Sequence, residues 1–112
     1  MSLPTRFKLV FFTPPAALPA IKSAIFATGA GRYPGPGDYT ECGFTTSGKG
    51  QFRPGASANP HIGKPGDIEE VDEVKFETLC VGDDVARKAV DALKKAHPYE
   101  EVPYEVYKME NF

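Results

Sequence analysis

The sequence has little cysteine, no tryptophan and no long apolar run, and these shortages exclude several classes of protein. Two cysteines, Cys42 and Cys80, in 112 residues are too few for a disulfide scaffold. Both fall at apolar-facing positions of predicted strands, where a free thiol packs as a small hydrophobic group. No segment approaches the roughly twenty apolar residues that a membrane span needs. We therefore expect a cytoplasmic protein that does not bind a membrane.

The sequence also lacks an excess of charge of either sign. Thirteen basic and fifteen acidic residues give a formal net charge of -2, and the basic residues are scattered along the chain. A domain that binds duplex nucleic acid is usually strongly basic, so no nucleic-acid partner is expected. The 112 residues, 41% of them apolar, are typical of one globular domain. We expect a single domain over residues 1–112 with a core from about residue 6 to residue 108.

Apolar periodicity predicts four strands and two helices. The predicted strands are residues 6–13, 39–46, 71–81 and 102–108. One helix is predicted from about residue 16 to residue 28, and the other begins at Gly82-Asp83-Asp84 and ends before Pro98. The order βαββαβ is typical of an α+β ferredoxin-like split βαβ sandwich, with four antiparallel strands and both helices on one face. Connection rules place the first and third strands at the centre of the sheet.

The face of the sheet that the helices leave open is a predicted interface. Two helices cover only one face of a four-stranded sheet. Val10, Phe12 and Leu79, with part of the last strand, point to the other face. Because an apolar patch on a protein surface usually marks an interaction site, we expect self-association.

A long loop is predicted between the two halves, from Ser47 to Gly66. The stretch is crowded with Gly and Pro and has neither helical nor strand periodicity. Ser47-Gly48-Lys49-Gly50 predicts a hairpin turn, after which Gln51 to Pro54 turns back alongside. The loop carries hydrogen-bonding and cationic groups that a spacer does not need, namely Gln51, Arg53, Asn59 and His61. Since binding residues concentrate in loops, it is the expected binding segment.

The residues that follow the second helix are a further candidate site. His97 is interpreted as a cap at the helix C-terminus before Pro98. An alternative role joins it to His61 and Glu100 as metal ligands or acid–base groups. No tight pair of ligands such as Cys-x-x-Cys is present, so we predict no metal and no cofactor. We also expect Arg53 or His61 to contact the segment from His97 to Glu101.

Three motifs together resemble one protein family. They are Phe26-Ala27-Thr28-Gly29-Ala30-Gly31, then Gly50-Gln51-Phe52-Arg53-Pro54 with Asn59-Pro60-His61-Ile62-Gly63, then Ala96-His97-Pro98-Tyr99-Glu100-Glu101. In order and spacing they resemble the domain inserted in many bacterial members of the NGG-interacting-factor-three-like family. That domain is similar to CutA and to the PII signalling proteins, which are ferredoxin-like and typically trimeric. The resemblance implies a stand-alone version of this module and a homotrimer. The dinuclear metal site of that family is built by flanking domains, so the resemblance implies no hydrolase activity for these residues.

Three functions are compatible with the sequence. The favoured one is a non-enzymatic oligomeric binding or regulatory module that takes a small anion, nucleotide, metal or protein partner through the 47–66 loop. Arg53, Lys49 and Lys64 beside glycines suit an anion. The first alternative is a small enzyme that uses His61 or His97 with Glu100 as acid–base groups, which requires a pocket where they converge. The second is a structural subunit of a metal-hydrolase partner.

Overall fold

The centre of the fold is a four-stranded antiparallel sheet, seen in a computed structural model that describes residues 3–112. Its strands are β1 (Arg6–Thr13), β2 (Gly43–Phe52), β3 (Glu69–Val81) and β4 (Tyr104–Met109). They lie in the order β2-β3-β1-β4, with every neighbouring pair antiparallel. The two helices are α1 (Leu18–Phe26) and α2 (Asp83–Ala96). The predicted ferredoxin-like α+β fold and the central position of β1 and β3 are both confirmed.

The core lies between the helices and one face of the sheet. On that face Phe11 of β1 lies opposite Phe76 of β3, with the ring centroids 5.6 Å apart. Alternation along the strands brings further apolar residues to the same side. Members of this core cluster include Leu9, Phe11, Ile21, Ile25, Phe76, Cys80, Ala89 and Leu93. Burial raises the pKa of the Cys80 thiol to about 11, so this cysteine packs as a neutral apolar group.

The helices follow from local sequence signals. α1 is preceded by a 3-10 turn over Pro15–Ala17 and has Pro19 in its first turn, where the missing N–H has no intrahelical partner. In α2 the acidic Asp83 and Asp84 open the helix and basic residues end it, which complements the helix dipole. Neither described helix has the length and apolar character of a membrane span.

The open face of the sheet differs from the expected apolar patch. Val10 and Leu79 do lie outside the helix-covered core, but only 2% and 8% of their surfaces are exposed, and Phe12 is half-buried. Val10 is buried because it lies opposite Glu77 of β3 and Glu105 of β4, whose longer side chains flank it. The exposed apolar groups on this face lie instead on the edge strands, and they are Phe44 at 65% and Tyr107 at 54%.

The second strand is the main correction to the predicted elements. Ser47 to Gly50 does not form a turn, because β2 continues through it to Phe52 in register with β3. Lys49 stands opposite Asp72 in this ladder and pairs with its carboxylate. The hydrogen bonds between paired strands are made by backbone groups and need no side chain, so Gly48 and Gly50 remain in the strand. The loop is therefore shorter than predicted, covering residues 53–68, and Cys42 lies before β2 rather than within it.

Candidate functional site

The connection between β2 and β3, here called the 53–68 loop, is closed at its base by polar contacts. Nη1 of Arg53 donates to the carbonyl oxygen of Gly66 at 2.8 Å. The backbone N–H of Gly66 donates to the carbonyl oxygen of Pro54 at 2.7 Å. Gly66 has φ 89°, a conformation that disfavours side chains with a Cβ. These bonds hold the two ends of the loop together at the tip of the β2–β3 hairpin.

Tyr99 joins this loop and hairpin to the chain that follows α2, here called the 97–103 segment. Its hydroxyl donates to Oε2 of Glu73 on β3 at 2.9 Å. Its ring centroid lies 6.3 Å from that of Phe52 and 6.2 Å from that of His61. Burial, and then the bond to the Glu73 carboxylate, raise the pKa of Tyr99. Tyr99 is therefore a neutral hydrogen-bond donor at the centre of the contact.

His97 anchors the same segment to the sheet. Nε2 lies 2.7 Å from the carbonyl oxygen of Phe12, so this nitrogen carries the proton and donates it. Nδ1 accepts from the backbone N–H of Tyr99 at 3.1 Å. Burial lowers the pKa of His97, although the Phe12 carbonyl and Glu73 act in the opposite direction and His61 adds to the lowering. Both nitrogens of the neutral ring are engaged within the fold.

A second polar contact lies one residue further along the segment. Oε1 of Glu100 accepts from the backbone N–H of Asn59 at 3.0 Å. With the tilted contact between the rings of His61 and Tyr99, it confirms that the loop contacts the segment from His97 to Glu101. Arg53 does not pair with a carboxylate among the described residues; it bonds the Gly66 carbonyl instead. The contact that was expected of Arg53 or His61 is made by His61.

The loop, the 97–103 segment and the end of the β2–β3 hairpin line a half-open cavity of about 510 Å³, here called the loop cavity. Apolar side chains and prolines supply most of its wall, while one guanidinium and three carboxylates supply its charge. Its lining is Gln51, Phe52, Arg53, Pro54, Gly55, Ala58, Pro60, Ile62, Glu73, Tyr99, Glu100, Glu101, Val102 and Pro103. This volume lies in the range of small-molecule sites, roughly 300–1,000 Å³.

The predicted site residues divide between the wall of this cavity and its supports. Gln51, Arg53 and Glu100 line it, whereas Asn59 holds Glu100 through its backbone. His61 and His97 support Tyr99 from outside the lining. Within residues 3–112 no group of three or more His, Cys, Asp or Glu side chains is arranged to hold a metal.

Sequence reasoning gave no binding role to Phe52 and Tyr99, although both lie in the motifs named above, and it did not consider Glu73. Phe52 and Glu73 lie on the same face of the β2–β3 hairpin, as the register shows. A predicted second strand that continued through Gly48 and Gly50 would have placed Phe52, by alternation, on the same face as Glu73. No local signal marks Glu73, because its partner Tyr99 is 26 positions away in the sequence.

Solved structures with the same fold define the class of the chain. CutA from Archaeoglobus fulgidus, a periplasmic divalent cation tolerance protein, superposes with TM-score 0.66 and 13% identity over 96% of this chain and 86% of that one. Bacillus subtilis GlnK in complex with ATP superposes with TM-score 0.60 and 12% identity, over 95% and 84% of the two chains. The chain has the CutA/PII-like version of the ferredoxin-like fold.

Relatives with higher identity place this fold within larger proteins. A Bacillus cereus protein related to NIF3 has TM-score 0.82 and 33% identity over 99% of this chain and 27% of that one. The GTP cyclohydrolase 1 type 2 homolog of Halalkalibacterium halodurans is 40% identical over 105 residues, which are 94% of this chain and 27% of that protein. The Bacillus subtilis protein of the same name is 37% identical over 103 residues, or 92% of this chain and 26% of that one.

These matches agree on one assignment. The chain spans about a quarter of the length of the curated relatives that it matches. No protein-family profile matches it. The chain is a CutA/PII-like domain of the kind found in NIF3-like proteins.

Proposed function

We propose that the chain is a self-associating binding module that holds a small organic molecule in the loop cavity. The observation that carries this proposal is the way the 53–68 loop is fastened to the 97–103 segment. The Asn59–Glu100 hydrogen bond joins the loop to this segment, and the Tyr99–Glu73 hydrogen bond joins the segment to β3, so both connect parts of the chain far apart in sequence. Such contacts preorganise a pocket and so reduce the entropy lost when a ligand binds.

The wall of the cavity defines the chemistry of the ligand. Three carboxylates, Glu73, Glu100 and Glu101, face one guanidinium, Arg53. This excess of negative charge disfavours the small anion that the loop alone suggested. The apolar part of the wall, which includes Phe52, Ile62 and Val102, suits the body of a small organic molecule.

The enzymatic alternative is less well supported by the geometry. An acid–base mechanism of the kind considered requires Glu100 and a histidine to converge on one pocket. Glu100 lines the loop cavity, but neither His61 nor His97 does. His97 also has both ring nitrogens engaged by Phe12 and Tyr99. The name GTP cyclohydrolase 1 type 2 homolog belongs to proteins about three and a half times as long, so we propose binding rather than that reaction for this domain.

Self-association is supported by the open face of the sheet. Phe44 and Tyr107 present exposed aromatic surface on the two edge strands of that face. The resemblance to CutA and PII proteins implies three subunits, and closed symmetry is the usual form of such assemblies. Sedimentation at micromolar protein concentration should show a species larger than the monomer. A monomer alone would contradict this part of the proposal.

Native mass spectrometry tests the binding role directly. The protein is purified without added ligand and measured for retained mass, then measured again with adenosine, an uncharged organic molecule, as an added probe. We expect retained or added mass on the wild type, its loss in Ala58→Phe, which fills the cavity wall, and no change in Lys64→Ala. Lys64 is an exposed loop residue outside the lining and so serves as the matched control. Bare wild-type protein in both measurements, or binding that Ala58→Phe leaves intact, would contradict the proposal.

A further inference from the structure

The hydrogen bonds of His97 are compatible only with a neutral ring. The imidazole is buried, with 7% of the residue exposed. Its Nε2–H donates to the Phe12 carbonyl, and its Nδ1 lone pair accepts the Tyr99 amide. A second proton would have to sit on Nδ1, where it would face the N–H of Tyr99. Protonation would therefore remove the acceptor of that amide and place a charge in a desolvated position.

The Tyr99 amide is the point at which the loop depends on His97. Tyr99 connects outward to Glu73 on β3 and to the ring of His61 in the 53–68 loop. The far end of the segment is held separately, since the Phe12 amide donates to the Pro103 carbonyl at 3.1 Å. Loss of the His97 acceptor would thus loosen the Tyr99 end of the segment while the Pro103 end stays attached.

The groups around the ring set the direction of the pH response. Glu73 on β3 stabilises the imidazolium, His61 in the loop opposes it, and Tyr99 and the Phe12 carbonyl on β1 contribute uncharged dipoles. Burial is the largest effect and lowers the pKa of His97 from 6.5. The closed arrangement, in which His97 accepts the Tyr99 amide, is therefore most stable relative to the open one above about pH 6.5. Its free-energy advantage declines as the pH falls from there to the lowered pKa of His97.

We propose that His97 is an acid-sensitive latch whose protonation releases Tyr99 and, with it, the 53–68 loop. Tyr99, Glu100 and Glu101 line the loop cavity, so the release opens the proposed ligand site. The latch itself is a property of the fold. Its effect on a bound molecule rests on the proposed function.

Hydrogen exchange of the full chain, followed by NMR without any ligand, tests the latch. Protection factors of the Tyr99 amide are measured from about pH 7.5 to about pH 5 and corrected for the intrinsic exchange rate. We expect protection to fall by about tenfold per pH unit inside the window below about pH 6.5, the limit for one coupled proton. The ¹⁵N shifts of the His97 ring should show the Nε2–H tautomer at neutral pH and titrate at the lowered pKa, which is the pH at which the fall in Tyr99 protection ends. Constant protection of Tyr99, or a His97 ring that titrates at a pH other than the one where the fall in protection ends, would overturn the proposal.

Three variants separate His97 from the other groups near it. His97→Gln should make Tyr99 protection independent of pH, while His61→Gln should retain the response. Glu73→Gln keeps an acceptor for the Tyr99 hydroxyl and should shift the midpoint to lower pH, because it removes the charge that stabilises the imidazolium. A response that persists in His97→Gln or disappears in His61→Gln would refute the latch. If His97→Gln does not fold, the wild-type data decide, since the titration of the His97 ring must coincide with the pH at which the fall in Tyr99 protection ends. The hydrogen-exchange test contains no ligand, so a negative result would refute the latch but not the proposed binding function. Native mass spectrometry tests that function separately.

Discussion

Substitution of Gly50 by Ala should weaken the contact between the hairpin and the 97–103 segment. A Cβ at Gly50 would overlap the Glu73 carboxylate, which lies across this glycine to reach the Tyr99 hydroxyl. Glu73 is flexible and can move aside with little steric strain, but it then loses Tyr99. Gly48 is the matched control, because it is on the same face of β2 and a Cβ there would have no heavy atom within 4 Å.

The expected magnitude follows from comparison of the two variants. Replacing Gly by Ala restricts the unfolded chain and stabilises a compatible site by about 0.4–1 kcal/mol. Gly48→Ala should show this gain in stability. Gly50→Ala has the same entropic gain, so it cancels when the stabilities of the two variants are compared. Hydrogen bonds to charged groups contribute about 1.5–3 kcal/mol, and the lower end applies because the Tyr99–Glu73 bond is only partly buried. Gly50→Ala should therefore be less stable than Gly48→Ala by about 1.5 kcal/mol.

Urea unfolding at one fixed protein concentration measures this difference, since self-association makes apparent stability depend on concentration. The same pair of variants is then made in a Tyr99→Phe background, where the bond to Glu73 is already absent. There the difference should shrink to a few tenths of a kcal/mol, the usual limit for uncoupled sites. Equal stability of Gly48→Ala and Gly50→Ala, or a difference that survives Tyr99→Phe, would refute the reasoning.

Three other substitutions test the fold and the loop. Arg53→Ala removes an exposed hydrogen bond to Gly66, so it should lower the free energy of unfolding in urea by no more than about 1 kcal/mol. The same variant should lose any ligand that the wild type retains in the loop cavity. A larger loss of stability would show that the role of Arg53 is structural. Gly43→Ala places a Cβ against the Phe76 ring and should cost about 1–3 kcal/mol by thermal unfolding. Leu93→Ala empties a fully buried position and should cost about 2–5 kcal/mol, with near-wild-type stability contradicting its place in the core.

The sequence by itself determined the order of elements and the composition of the core. Alternation in 6–13 and 71–81 identified the two central strands, and the apolar stripe of 83–96 identified the helix that packs on them. These signals are readable because a buried face repeats with the period of its element, whatever the rest of the chain does. The three motifs likewise located the two segments that meet in the site. A contact of Arg53 or His61 with the 97–101 segment was predicted from them, and His61 makes it.

Only the tertiary structure decided how far β2 extends and what the loop encloses. Gly48 and Gly50 have turn-like local preferences, but pairing with β3 keeps both in the ladder and puts Phe52 and Glu73 on one face. Tyr99 then reaches Glu73 across the fold, because the chain that follows α2 passes beside the hairpin. Burial of Val10 was likewise set by its neighbours on two strands. Such pairings depend on strand register and on contacts distant in sequence, and local periodicity carries no information about either.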